Sequence, residues 1–245
     1  MKRIGKFKLI IGAMLATFTS PAMAGELMLD WGGTKSGDGR IFTDGTVSMR
    51  ASAWSIGALT LVDDEKLGVW SDGLGVVSGA LDNSHTVDNF GRLDFLVLQF
   101  DQAVSLGEAT FNTGWNGMKD TDATIGYADF STPYDVQPGM DNKLALFALK
   151  DFSLYTSEAK QLGNSTRSIN PNGAVGNTWL IGASFVPKDK FFDGFKLDKI
   201  TYDLPATPAV PEPATWMMLL LGFGAIGTMV RGSRSSARKR RLQFA

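Results

Sequence analysis

Four aspartates stand where oxygen ligands for a metal ion would be wanted. Asp82 and Asp88 each precede an asparagine, Asn83 and Asn89, within one polar stretch, and Asp120 and Asp122 flank Thr121. Calcium takes roughly six to eight oxygens from carboxylates, amides and backbone carbonyls, so Asp82, Asp88, Asp120 and Asp122 are the candidate ligands. Their spacing does not match an EF-hand loop, and Asx-turns account for the same residues without a metal. If Asp120 and Asp122 lie on a strand, their side chains share a face. His85 is the one histidine of the chain and sits in the same polar stretch. It excludes a multi-histidine metal centre and leaves one candidate for a Ser-His-Asp arrangement. No G-x-S-x-G accompanies it, and its neighbours read as a turn in which the ring bonds to local carboxylates. No cysteine is present, which removes thiol nucleophiles, disulfides and zinc–thiolate sites. No two carboxylates are singled out as a glycosidase pair. Trp54, Trp70 and Trp115 offer rings either for stacking sugars or for packing a core.

The elements that must position these groups read as strands. Residues 93–100 form a near-continuous apolar run, expected as a central strand covered on both faces, and 178–186 is similar. Residues 195–202 alternate, but the phase slips after Leu197, which predicts a bulge or an edge strand. Shorter strands are expected at 46–53, 58–62, 109–112 and 123–127. Turn pairs such as Asp44-Gly45, Asp72-Gly73 and Asn172-Gly173 punctuate them. Residues 141–150 fit a helix or a strand. The sum is an all-β chain, expected as a single jelly-roll-like β-sandwich over residues 25–204.

Charge separates that domain from the two ends. The whole chain carries a net −1, but residues 25–208 hold 14 Lys and Arg against 24 Asp and Glu, a net of about −10. Such a surface repels nucleic acid, so no nucleic-acid partner is expected. At the N-terminus Lys2, Arg3, Lys6 and Lys8 precede an apolar stretch, then Pro21 and Ala22-Met23-Ala24. This is the pattern of a signal peptide over residues 1–24, cut by signal peptidase between Ala24 and Gly25, with Ala22 and Ala24 as the small residues it needs. At the C-terminus a Pro-rich linker, 205–213, leads into an uncharged stretch, 214–230. Arg231, Arg234, Arg238, Lys239, Arg240 and Arg241 follow. The expectation is one transmembrane helix over 214–230, with a basic cytoplasmic tail over 231–245 by the positive-inside rule.

Pro211-Glu212-Pro213, Trp216, then Gly222-Phe223-Gly224 and an arginine-rich end resemble a PEP-CTERM sorting signal. The resemblance implies export in a Gram-negative bacterium and recognition by a membrane-embedded exosortase. It further implies transient residence in the inner membrane, cleavage near the Pro-Glu-Pro, and release to the cell surface or exopolysaccharide matrix. Within the domain, Ala51-Ser52-Ala53-Trp54, Leu67-Gly68-Val69-Trp70, Gly73-Leu74-Gly75-Val76, His85 to Asn89, and Asp120 to Thr124 follow in an order similar to an exosortase-dependent surface protein family. That family implies a surface or matrix protein and brings no enzymatic activity with it; the expectation is a non-enzymatic surface or biofilm-matrix protein with no cofactor except, at the aspartates above, calcium. The alternatives are a carbohydrate- or calcium-binding matrix module and, less favoured by the residues, a polysaccharide hydrolase.

Overall fold

In the computed structural model, the described residues are 24–30, 34–37, 39–57, 60–78, 85–113, 119–159, 161–186, 191–205 and 213–241. The chain divides into two compact units, one of residues 22–205 and one of residues 1–21 with 206–245. The first unit is built from β1 (Ala24–Met28), β2 (Thr34–Ser36), β3 (Arg40–Thr43), β4 (Ser48–Ile56), β5 (Leu61–Trp70), β6 (Gly73–Val77) and β7 (Val87–Asp88). It continues with β8 (Leu93–Thr113), β9 (Ala123–Ala128), β10 (Lys143–Leu144), the one-turn helix α1 (Ala145–Ala148), β11 (Ser153–Ser157), β12 (Ser165–Ser168), β13 (Gly176–Ala183) and β14 (Gly194–Asp203).

The all-β reading holds, but the jelly-roll of two stacked sheets does not. The strands form one 14-stranded sheet. Five of them close on themselves: β14 pairs with β6, β6 with β5, β5 with β4, β4 with β8, and β8 with β14. The remaining strands extend this barrel. Two long strands make the closure, because each changes partner along its length. In β5, Val62 to Glu65 face β4 and Lys66 to Trp70 face β6. In β8, Leu93 to Phe100 pair with β4, and Ser105 to Thr113 pair with β14. Closure leaves those five strands without a free edge between them, while strands outside the barrel, such as β11 and β12, keep one among the described residues.

The apolar run at 93–100 is explained by two cores. Leu96, Leu98 and Phe100 point into the main core with Leu67, Val69, Phe111, Trp179 and Leu197. Phe95 and Val97 point the other way, into a second core with Trp54, Val62, Met140, Phe152 and Leu180. A strand buried on both faces cannot alternate, because neither face meets water. The phase slip in β14 is a bulge: its pairing with β8 shifts between Leu197 and Lys199 and again between Ile200 and Tyr202. The strand is not at an edge, since β1, β6, β7 and β8 all pair with it. The ambiguous 141–150 segment divides into β10 and α1, and Leu144 and Phe147 are exposed.

The Asp44-Gly45 turn joins β3 to β4 as expected. The Asp44 carboxylate accepts hydrogen bonds from the Thr46 and Val47 amides, while the Tyr202 hydroxyl donates to its other oxygen. Burial pushes this carboxyl up, but the bonds from Tyr202, Val47 and Thr46 together outweigh it and hold Asp44 below the usual carboxylate range. A lowered folded-state pKa means that the unfolded chain binds the proton more tightly. The stabilisation is therefore full above the unfolded value, about 3.9, and is lost as pH falls through the folded-state pKa. Asp44→Asn is expected to lower the melting temperature slightly at neutral pH. Melting curves from pH 7 down to about pH 2.5 should show that difference closing in acid.

In the second unit the described part is α2 (Pro213–Arg241). Proline has no N–H and fixes φ near the helical value, so Pro213 suits the first helical position. The six basic residues fall in the C-terminal half of the helix, where its dipole is negative. The transmembrane span expected over 214–230 is not found: among the described residues no helix is long and apolar enough to cross a membrane. The uncharged stretch is about 17 residues, near 25 Å at about 1.5 Å per residue, against a hydrocarbon core of about 30 Å. Gly222, Gly224, Gly227 and Thr228 dilute it further, and the same helix runs on through Arg231. The single-pass placement with a cytoplasmic C-terminus, and the inner membrane as a transient partner, are withdrawn with it.

Candidate cation site and sorting segment

Asp120 lies just before β9 and Asp193 just before β14. Their backbones form a parallel bridge, and the Gly194 amide donates to the Asp120 carbonyl at 2.9 Å. Clamping two strand starts together brings three carboxylates to one point. Ligand oxygens of Asp120, Asp122 and Asp193 lie within 4.8 Å of one another. Asp120 and Asp193 are buried and Asp122 is half-buried.

The surroundings hold these groups in place. The Asp122 amide donates to Asp120 Oδ1 at 3.3 Å, and the Ala159 amide donates to Asp122 Oδ1 at 2.5 Å. Asn89 and Asp193 exchange a reciprocal pair: Asn89 Nδ2 donates to Asp193 Oδ2 at 2.7 Å, and the Asp193 amide donates to Asn89 Oδ1 at 3.0 Å. Arg167 is the nearby cation. Burial pulls its guanidinium down to about 10, while Asp122 and Asp120 oppose the fall, so it stays charged at neutral pH. Three carboxylates against one guanidinium leave a local excess of negative charge that suits a divalent cation.

Of the four aspartates chosen from the sequence, the structure brings Asp120 and Asp122 together. Asp88 pairs through its backbone with Gly194, next to the cluster. Its carboxylate accepts instead from the Thr86 hydroxyl at 2.7 Å and the Phe90 amide at 3.0 Å, an Asx-turn of the expected kind. Asp82 lies outside the described residues. Asp193 was missed. The signal for it was an Asp-Gly pair, Asp193-Gly194, opening the alternating strand.

The other candidates have structural surroundings. His85 adopts a left-handed backbone, φ 51°, and its ring stacks on Trp70 at 5.2 Å between centroids. Lys196 Nζ lies 4.4 Å from the centre of the same indole and pairs with Asp72. Trp54 is 1% exposed and donates to Ser52 Oγ, so it packs a core and cannot stack a sugar. Trp115 lies outside the described residues. Asn164 accepts from both the amide and the hydroxyl of Thr113.

In the sorting segment, Pro213 opens α2, and Trp216 and Phe223, seven residues apart, lie on one face of it. Both are exposed, with Gly222 and Gly224 flanking Phe223. Arg231 is exposed, and Arg234, Arg238, Lys239, Arg240 and Arg241 lie on the same helix. Pro211 and Glu212 fall outside the described residues, as does Ala22. Ala24 and Gly25, at the expected signal-peptidase cut, begin β1.

The described part of the second unit is the helix α2 alone. Residues 209–235 match the PEP-CTERM protein-sorting motif. The chain therefore carries an exosortase-type sorting signal, which supports a surface or secreted protein of the kind an exosortase processes. That motif concerns sorting, and the match covers the C-terminal segment alone. No curated protein and no solved structure matches the chain.

Proposed function

We propose that the β domain is a structural component of the exopolysaccharide matrix, or biofilm, outside a Gram-negative cell. The carrying observation is the sorting motif at 209–235 placed after an acidic, cysteine-free β domain. In this reading residues 1–24 are a signal peptide removed after Ala24. Exosortase then recognises the Pro211-Glu212-Pro213 region together with Trp216 and the Gly222-Phe223-Gly224 segment. The mature domain, at about −10, stays soluble and self-repelling among polymer chains. Fractionating cultures of the host and of a strain unable to make its exopolysaccharide provides the test. The domain should be retained in the matrix of the first and be lost to the medium in the second. Equal partition in both strains removes the matrix role.

A second reading is favoured by the Asp120, Asp122 and Asp193 carboxylates: the domain binds calcium there as a structural ion. Calcium at about a hundredfold excess over its Kd would stabilise the fold by about 2.7 kcal/mol. The expected outcome is a rise in melting temperature on adding calcium, reversed by chelation and absent in Asp193→Asn. A melting temperature indifferent to calcium removes this reading.

A further inference from the structure

β11 and β12 each pair on one side only among the described strands, β11 with β9 and β12 with β8. Between them runs an open groove of about 660 Å³, within the range of roughly 300–1,000 Å³ typical of small-ligand sites. Tyr155, Ser157, Gln161, Asn164, Thr166 and Ser168 supply most of its chemistry. Resting on the matrix reading above, we propose that this groove binds a neutral, hydroxyl-rich polysaccharide chain.

The floor is fixed before any ligand arrives. Arg167 bridges the two strands: Nε donates to Ser157 Oγ at 3.0 Å and Nη2 to the Ser157 carbonyl at 3.2 Å. Nη1 donates to Ser165 Oγ at 2.6 Å and Thr121 Oγ1 at 3.2 Å, and Nη2 also reaches the Thr121 carbonyl. The guanidinium lies over the Phe111 ring, 4.0 Å from its centre. The Tyr155 hydroxyl donates to the Ile169 carbonyl and ties β11 to the end of β12. With its donors directed into the protein, Arg167 is a positioning residue. It holds two serines on opposite walls, which lowers the ordering cost of binding.

The lining selects the ligand class. Hydroxyls and amides on both walls offer donors and acceptors together, which is what sugar hydroxyls require. Pro171 and the Tyr155 ring are the only large apolar groups among the lining side chains, so a peptide strand adding to either edge would find few pockets for apolar side chains. The acidic domain and Glu158 in the lining disfavour a polyanion, while the Arg167 charge is shared with Asp122 and Asp120.

Affinity electrophoresis of the full chain through gels containing the host's exopolysaccharide, dextran or alginate tests the proposal. Gln161, Thr166 and Ser168 are exposed, so Gln161→Ala/Thr166→Ala and Ser168→Trp should fold as the parent does. The expected result is retardation of the parent by the host polymer or by dextran, and none by alginate. Both variants should bind at least tenfold more weakly at unchanged melting temperature. Variants that bind as tightly as the parent overturn the groove while leaving the matrix role standing. Retardation by alginate alone, no retardation of the parent, or occupation by a peptide strand also overturns it. Failure of retention in the host matrix overturns the matrix role itself.

Discussion

Trp179→Ala is expected to destabilise the β domain by about 3–5 kcal/mol, the range for removing a large aromatic from a packed core. Trp179 has no exposed surface and lies at the middle of β13, opposite Leu98 of β8 on one side and Tyr127 of β9 on the other. Its ring packs 5.7 Å from that of Tyr127, and its indole N–H donates to the Gly176 carbonyl at 3.1 Å. Truncation therefore opens a cavity and leaves that carbonyl short of a donor. Against a usual total of about 5–15 kcal/mol, the loss would leave a marginal domain. Urea denaturation followed by fluorescence should show the midpoint falling steeply with the slope unchanged. A shift worth less than about 1 kcal/mol would mean that Trp179 is not the core residue the structure makes it.

The second large effect is expected in processing. Replacing Pro211, Glu212 and Pro213 together by alanine should leave the C-terminal segment on the protein, because the recognised triplet is gone from the matched motif. Alanine is the better helix former, so α2 should persist in the variant. A helical circular dichroism signal in a peptide of residues 209–241 carrying the same substitutions separates lost recognition from a lost helix. Intact-mass spectrometry of the variant should find the uncut tail, and a tail still removed would place recognition elsewhere in the segment.

Much of the fold was legible because burial writes itself into residue order. The run at 93–100 announced a strand with two buried faces, and the slip after Leu197 announced the bulge in β14. Closure of the sheet was not legible. It depends on β5 and β8 each passing from one partner to another, and pairing leaves no mark in the pattern of one strand. The carboxylate cluster was half legible for the same reason. Asp120 and Asp122 are neighbours in sequence, whereas Asp193 joins them only through the backbone bridge between two distant strand starts. The groove between β11 and β12 was invisible, since its serines and threonines look like those of any loop until two strand edges face each other. At the C-terminus, a lack of formal charge over 214–230 suggests a membrane span, but charge alone does not make one, and among the described residues no helix is long and apolar enough to cross a membrane.

The most direct measurement is the intact mass of the protein recovered from outside the cell, in the host and in a strain lacking its exosortase. With exosortase present, the expected mature chain begins at Gly25 and ends near Pro211-Glu212-Pro213, while without it the residues through Ala245 remain attached. The same mass in both strains, with the tail retained or removed regardless of exosortase, would contradict processing through the motif at 209–235.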